Sequence, residues 1–90
     1  MKALIKRHYE AVKQRGLIDD YVTLEAFRNK LREEIQEFWD ADVYEESMDG
    51  DMAQEAIDVV GVIFNMLIHY GYDVEAEFKF NVEYQDSRFK

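Results

Sequence analysis

Glu34-x-x-Glu37 and Glu55-x-x-Asp58 are the two places in this chain where residue type and spacing together permit chemistry. A three-residue step puts two side chains on one side of a helix, about a turn apart. Each pair can therefore aim two carboxylates at one point. Like charges at that distance repel unless a cation lies between them. A hard divalent ion such as Mg2+, which takes oxygen ligands, answers that need. If both pairs converge, four carboxylates face one ion.

The helices that must carry these pairs are readable from periodicity and caps. A first helix is expected over about residues 2–15, with Leu4, Ile5, His8, Tyr9 and Val12 on one face and Gly16 as its C-terminal cap. A second starts at Leu24, with Thr23 as N-cap and Glu25 in its first turn, and ends between Ala41 and Glu46. Its apolar stripe is Leu24, Phe27, Leu31, Ile35 and Phe38. At ~100° per residue Glu34 falls about 60° from the stripe centre, which turns it away from open solvent.

The third helix is expected from near Asp51, capped by Asp49 or Asp51, to just before Gly71. From Ala56 to Ile68 it is almost wholly apolar, so it should be buried on several sides, in a bundle or at a subunit interface. Asp58 interrupts that core sequence. Glu55, Asp58, Asn65 and His69 form one polar stripe within an arc of roughly 80°. A fourth helix should begin at Asp73 or Val74 and run through EFKFNVEY, with DSRFK free to fray. The expected architecture is a single all-α domain over residues 1–90, a bundle of three to four helices around a central antiparallel hairpin. The two acidic pairs lie level across that hairpin if the second helix stops near Ala41. They are offset by a turn or more if it runs to Glu46.

Bulk properties narrow the function. The formal charge of −9 disfavours nucleic acid as a partner. The chain has no cysteine, so disulfides, thiolate nucleophiles and cysteine zinc sites are excluded. No signal-peptide core and no apolar run of ~18 residues is present, giving the expectation of a soluble cytoplasmic protein without a membrane partner. So small a chain with so apolar a third helix is expected to form a homodimer or homotetramer. Gly61 in mid-helix costs ~1 kcal/mol against Ala, for which close approach of another helix is a sensible reason.

The segments LREEIQEFWDA and EAIDVVGVIFNML together resemble the MazG-type, all-α nucleoside triphosphate pyrophosphohydrolases. The hallmark E-E-x-x-E reads here as Glu33-Glu34-Ile35-Gln36-Glu37, and E-x-x-D as Glu55-Ala56-Ile57-Asp58; the likeness covers residues 24–70. It implies cleavage of an NTP or dNTP between the α and β phosphates, giving monophosphate and pyrophosphate. It further implies Mg2+, with Mn2+ as substitute, held by Glu34, Glu37, Glu55 and Asp58. Glu37 and Glu34 are then the candidate catalytic acids, and which of them takes the proton of the attacking water stays open. Glu33 points about 100° from Glu34 and is given a supporting role.

For the substrate, Lys30 lies one turn before Glu34, and Lys79, Arg88 and Lys90 supply charge near the C-terminus, with Lys79 preferred. Asn65, ~10 Å along the axis from Asp58, could reach a sugar or base. His69, ~16 Å away, is too distant for catalysis and is read as a helix-end or pairing residue. Phe38 is assigned to the core, and Trp39 to an interface or a nucleotide base. Two alternatives share the pattern: a phosphoribosyl-ATP pyrophosphohydrolase-like enzyme, and a non-catalytic helical dimerisation or binding module whose acids are solvated or paired with Lys30 and Arg32. A di-iron bundle wants Glu-x-x-His repeats, which neither His8 nor His69 completes.

Overall fold

Backbone groups at helix ends need partners, and here short side chains and two glycines supply them. The computed structural model describes residues 1–41 and 48–88. It contains α1 (Lys2–Gln14), α2 (Leu24–Asp40), α3 (Gly50–His69) and α4 (Val74–Ser87), with no strand among the described residues. Thr23 Oγ1 accepts from the Ala26 amide at 3.1 Å, Asp49 Oδ1 from Met52 at 2.8 Å and Asp73 Oδ1 from Ala76 at 3.1 Å. Each thereby satisfies an orphan donor of a first turn. α1 and α3 end alike. Gly16 (φ 78°) and Gly71 (φ 84°) adopt the left-handed conformation that L side chains avoid. Their amides donate to Lys13 and Ile68, while the following Leu17 and Tyr72 amides donate to Val12 and Leu67, closing a Schellman turn each time. α2 stops at Asp40 with Ala41 as its cap. An extension towards Glu46 would lie outside the described residues, as Lys90 does.

α3 is the hub, packing mainly on α2 and α1 and only sparingly on α4. Its contacts run through its polar stripe. The His8 ring lies over Gly61, where an added Cβ would stand 3.0 Å from His8 Cε1. The expected close approach at Gly61 is thus made by α1. His8 Nδ1–H donates to Asn65 Oδ1 at 3.1 Å, and Tyr9 Oη and His69 Nδ1 share a hydrogen bond of 3.2 Å. From α2, Phe27 packs its ring 5.1 Å from that of His69 and 6.1 Å from that of Tyr70, in the tilted geometry aromatic pairs favour. His69 is therefore a pairing residue, as its position in sequence implied. An exposed ion pair, Lys2 Nζ to Asp73 Oδ2 at 3.0 Å, ties the start of α1 to the start of α4.

The expectation that α3 is buried on several sides does not hold within this chain. Asn65 is its one buried residue, whereas Ile57 is 58% exposed and Val60 is exposed as well. Asp58, read as lying within core sequence, is exposed too. The reason is that buried polar groups require partners, and α1 and α2 provide them by approaching the polar side of α3. The apolar core that results is thin: Ile18 and Phe27 are its only buried apolar residues among those described. α4 shows apolar side chains on two opposite faces, Phe78 and Val82 on one and Phe80 and Tyr84 on the other, all exposed.

The contact at Gly61 gives a test of this packing. In an otherwise native chain, Gly61→Ala should show none of the ~1 kcal/mol helix-propensity gain, because the methyl meets the His8 ring. In a His8→Ala background the same substitution should recover that gain. Denaturant unfolding of the four chains measures both; equal effects in the two backgrounds would refute the contact.

Candidate functional site

Burying a carboxylate is costly unless it is paired, and α2 buries one. Glu34, only 8% exposed, sits on the α3-facing side of α2 beside Phe27 and Leu31. Lys30, one turn earlier, places Nζ 3.0 Å from Glu34 Oε1 and 3.7 Å from Glu33 Oε2. The hydrogen bond to Glu34 is the main cause that holds the Lys30 ammonium above its ordinary pKa, reinforced by the charges of Glu34, Glu33 and Glu37. Glu33 is exposed and touches the site through Lys30 alone.

The two acidic segments do meet. One carboxylate oxygen each from Glu34, Glu37 and Glu55 lies within 4.8 Å of the others. Glu37 is exposed at the mouth of this cluster, and its carboxyl is pushed above its ordinary pKa. The negative charge of Glu34 is the first cause, followed by desolvation and the charge of Glu55, with Lys30 opposing. Glu55 Oε2 is buried and has no hydrogen-bond partner. An orphaned buried oxygen is uncommon in folded proteins and costs about 1–3 kcal/mol. Three hard oxygen donors, one of them from a carboxylate that also holds an unsatisfied oxygen, make a set that can accept a divalent cation.

Asp58 does not join the three converging oxygens. It lines, with Glu34 and Lys30, an adjoining cavity of about 530 Å³ between α1, the α1–α2 connection, α2 and α3. Asn65 lines the same cavity from further along α3, in keeping with its position in sequence. Lys79 is exposed on α4 and is not part of this wall; Arg88 lies 5.8 Å over the Tyr84 ring. Phe38 is half-buried and Trp39 is 80% exposed.

The cavity also recruits two residues that spacing did not assign to it, His8 and Arg15 of α1 and its cap. Their signal was present but ambiguous: His8, Val12 and Arg15 recur at i, i+4 and i+7, one helical face, on which His8 reads as an ordinary member of a packing stripe. Its hydrogen bond to Asn65 Oδ1 places the donor proton on Nδ1, since a carbonyl oxygen only accepts.

Compared with known proteins, the chain matches no family model, no curated protein and no solved structure.

The crowding of Glu37 has a measurable consequence. Its raised pKa means that the folded chain binds the Glu37 proton more tightly than the unfolded chain. Stability must then fall as pH rises from the ordinary carboxylate range through the raised value. Thermal unfolding against pH at low ionic strength, where screening is weakest, should show this fall. Glu37→Gln should flatten it; an unchanged pH profile in that variant would contradict the crowding.

Proposed function

We propose that this chain is a Mg2+-dependent pyrophosphohydrolase that cleaves a nucleoside triphosphate to the monophosphate and pyrophosphate. The reading rests on one observation, the meeting of Glu34, Glu37 and Glu55 with an unsatisfied oxygen on Glu55, beside a cavity of about 530 Å³. A volume of that order suits a small-molecule ligand. The E-E-x-x-E and E-x-x-D segments, whose resemblance to MazG-type enzymes gives the substrate class, are the ones that supply these carboxylates. We also infer that α2 and α3 form an antiparallel hairpin: Phe27, early in α2, meets His69, late in α3, while Glu37, late in α2, meets Glu55, early in α3.

In this reading Glu34, Glu37 and Glu55 would hold the ion, with Asp58 beside them on the cavity side. Bound Mg2+ would neutralise phosphate charge and bring the triphosphate to the carboxylates. Lys30 now neutralises Glu34; with that charge taken up otherwise, its ammonium is free to turn to a phosphate oxygen. Glu37, open to solvent, is the better placed of the two candidate acids to take the proton of an attacking water. The water oxygen bonds to phosphorus, the bridge between the α and β phosphates breaks, and pyrophosphate leaves with the bonding electrons. Asn65 and His8 line the cavity where sugar or base would lie, so their amide and imidazole are the groups available to recognise it.

The competing reading, a non-catalytic helical module, draws on the Lys30–Glu34 ion pair, which already neutralises the buried acid. The two differ in what ligand does to the protein. Mg2+ with a non-hydrolysable nucleoside triphosphate should raise the melting temperature of a pyrophosphohydrolase and leave that of the module unchanged.

Pyrophosphate release from a panel of NTPs and dNTPs with Mg2+ tests the activity directly. Glu37→Gln and Glu55→Gln should each lower kcat/KM by on the order of 10²-fold or more. Asp58→Asn, outside the three-oxygen cluster, should cost about 10-fold. Full activity in both Glu37→Gln and Glu55→Gln would sink the proposed site.

Lys30 separates binding from turnover. Removing its charge in Lys30→Gln takes away the cation that competes for Glu34, so Mn2+ should bind more tightly while KM for the nucleotide rises about 10-fold, one charged contact's worth. Weaker Mn2+ binding in this variant would show that Lys30 organises the cluster instead of competing for it.

A further inference from the structure

We propose that Arg15 is a phosphate-binding residue, gripping the substrate's triphosphate from α1, across the cavity from the carboxylates. Its ligand is the substrate of the pyrophosphohydrolase reading, on which this assignment rests. Besides His8, the charged groups lining the cavity are two acids, Glu34 and Asp58, and two cations, Lys30 and Arg15. Lys30 is committed, with Nζ 3.0 Å from Glu34 Oε1. The Arg15 side chain has no ion-pair or hydrogen-bond partner among the described residues. Acids stand near it in sequence, but they are taken. Asp20 pairs with Lys13 at 3.4 Å, and Asp19 Oδ1 accepts from the Tyr21 amide at 2.8 Å. The guanidinium therefore keeps its full donor set for a ligand.

Helix direction sets Arg15 against Asp58. Ile5 and Ile68 line one groove, and His8 meets Gly61 and Asn65, so α1 runs antiparallel to α3. Arg15 lies seven residues beyond His8 and Asp58 seven before Asn65, about 10 Å in each case. The two opposite charges thus stand level on facing walls, yet no ion pair closes between them. The space suits a ligand that is anionic towards Arg15 and carries a cation towards Asp58 and Glu34. A metal-bound polyphosphate is such a ligand. The planar guanidinium fork matches phosphate oxygens two at a time, which an ammonium cannot do. Asn65 fixes the other end. It is 5% exposed, and its Oδ1 accepts from His8, leaving the NH2 without a partner among the described residues and free for the cavity it lines. Two neutral donors there serve a base or ribose oxygen, so the nucleoside lies at Asn65 and His8 and the phosphates between Arg15 and the acids.

Titration calorimetry with inorganic tripolyphosphate and Mg2+ isolates the phosphate contact from the nucleoside. Arg15 is exposed, so Arg15→Gln should keep the native melting temperature. It should weaken tripolyphosphate binding about 10- to 100-fold, the worth of one charge-assisted contact, and leave the binding of Mn2+ alone unchanged. Arg15→Lys, which keeps the charge and loses the fork, should fall between the two. Lys6→Gln, an equal charge change on α1 outside the cavity, should bind tripolyphosphate as the native chain does. Native affinity in Arg15→Gln, an equal loss in Lys6→Gln, or no binding of tripolyphosphate to the native chain would each overturn the proposal. Weaker Mn2+ binding in Arg15→Gln would overturn it too, by making Arg15 a structural partner of the acids. Tripolyphosphate binding that depends on Arg15, in a chain that releases no pyrophosphate from any nucleotide, would refute the hydrolase reading and leave the contact standing. Nucleotide turnover with an unchanged KM in Arg15→Gln would do the reverse.

Discussion

A carboxylate withdrawn from water has to be neutralised, and the burial of Glu34 between α2 and α3 is the constraint around which this chain is arranged. Lys30 meets the need at 3.0 Å from within the same helix. The pair alone would be an ordinary i, i+4 contact of a few tenths of a kcal/mol. What changes its meaning is the arrival of Glu37 and Glu55, which put three acidic oxygens within 4.8 Å of one another against one ammonium. Lys30 cannot balance that charge, and the unpartnered oxygen of Glu55 shows where the balance fails. Folds rarely keep such a deficit without a use for it. Here the deficit borders a cavity of about 530 Å³, which is why a ligand that brings positive charge is the economical explanation.

The same constraint accounts for the unusual disposition of α3. In a small soluble bundle the apolar side of a helix normally faces its neighbours. Here Asn65 and His69 turn towards α1 and α2, where His8, Tyr9 and Phe27 satisfy or cover them. Polar contacts of this kind are specific but individually weak, near 1 kcal/mol net. They cannot replace the burial that Ile57 and Val60 forgo at roughly 25 cal/mol per Å². The single chain therefore holds a well-defined polar interior and leaves its main apolar resource unused.

How much of this was legible in advance depended on whether local or long-range interactions decide each residue. Thr23, Asp49 and Asp73 cap the helices they precede, and Gly16 and Gly71 close the helices they follow, because capping involves only the next few residues. Glu34 was placed beside the core by helical phase alone, and it is buried. Asp58 could not be placed that way: its VV-rich neighbourhood signals burial, but it shares the stripe of Asn65 and His69 and faces the cavity, where it stays exposed. Nor could phase bring His8 to Asn65, since a contact between residues 57 apart follows from how whole helices cross. α4 was legible as a helix and not as a partner, for its two apolar faces name no neighbour. Lys79, favoured by charge alone, stands on it away from the cavity.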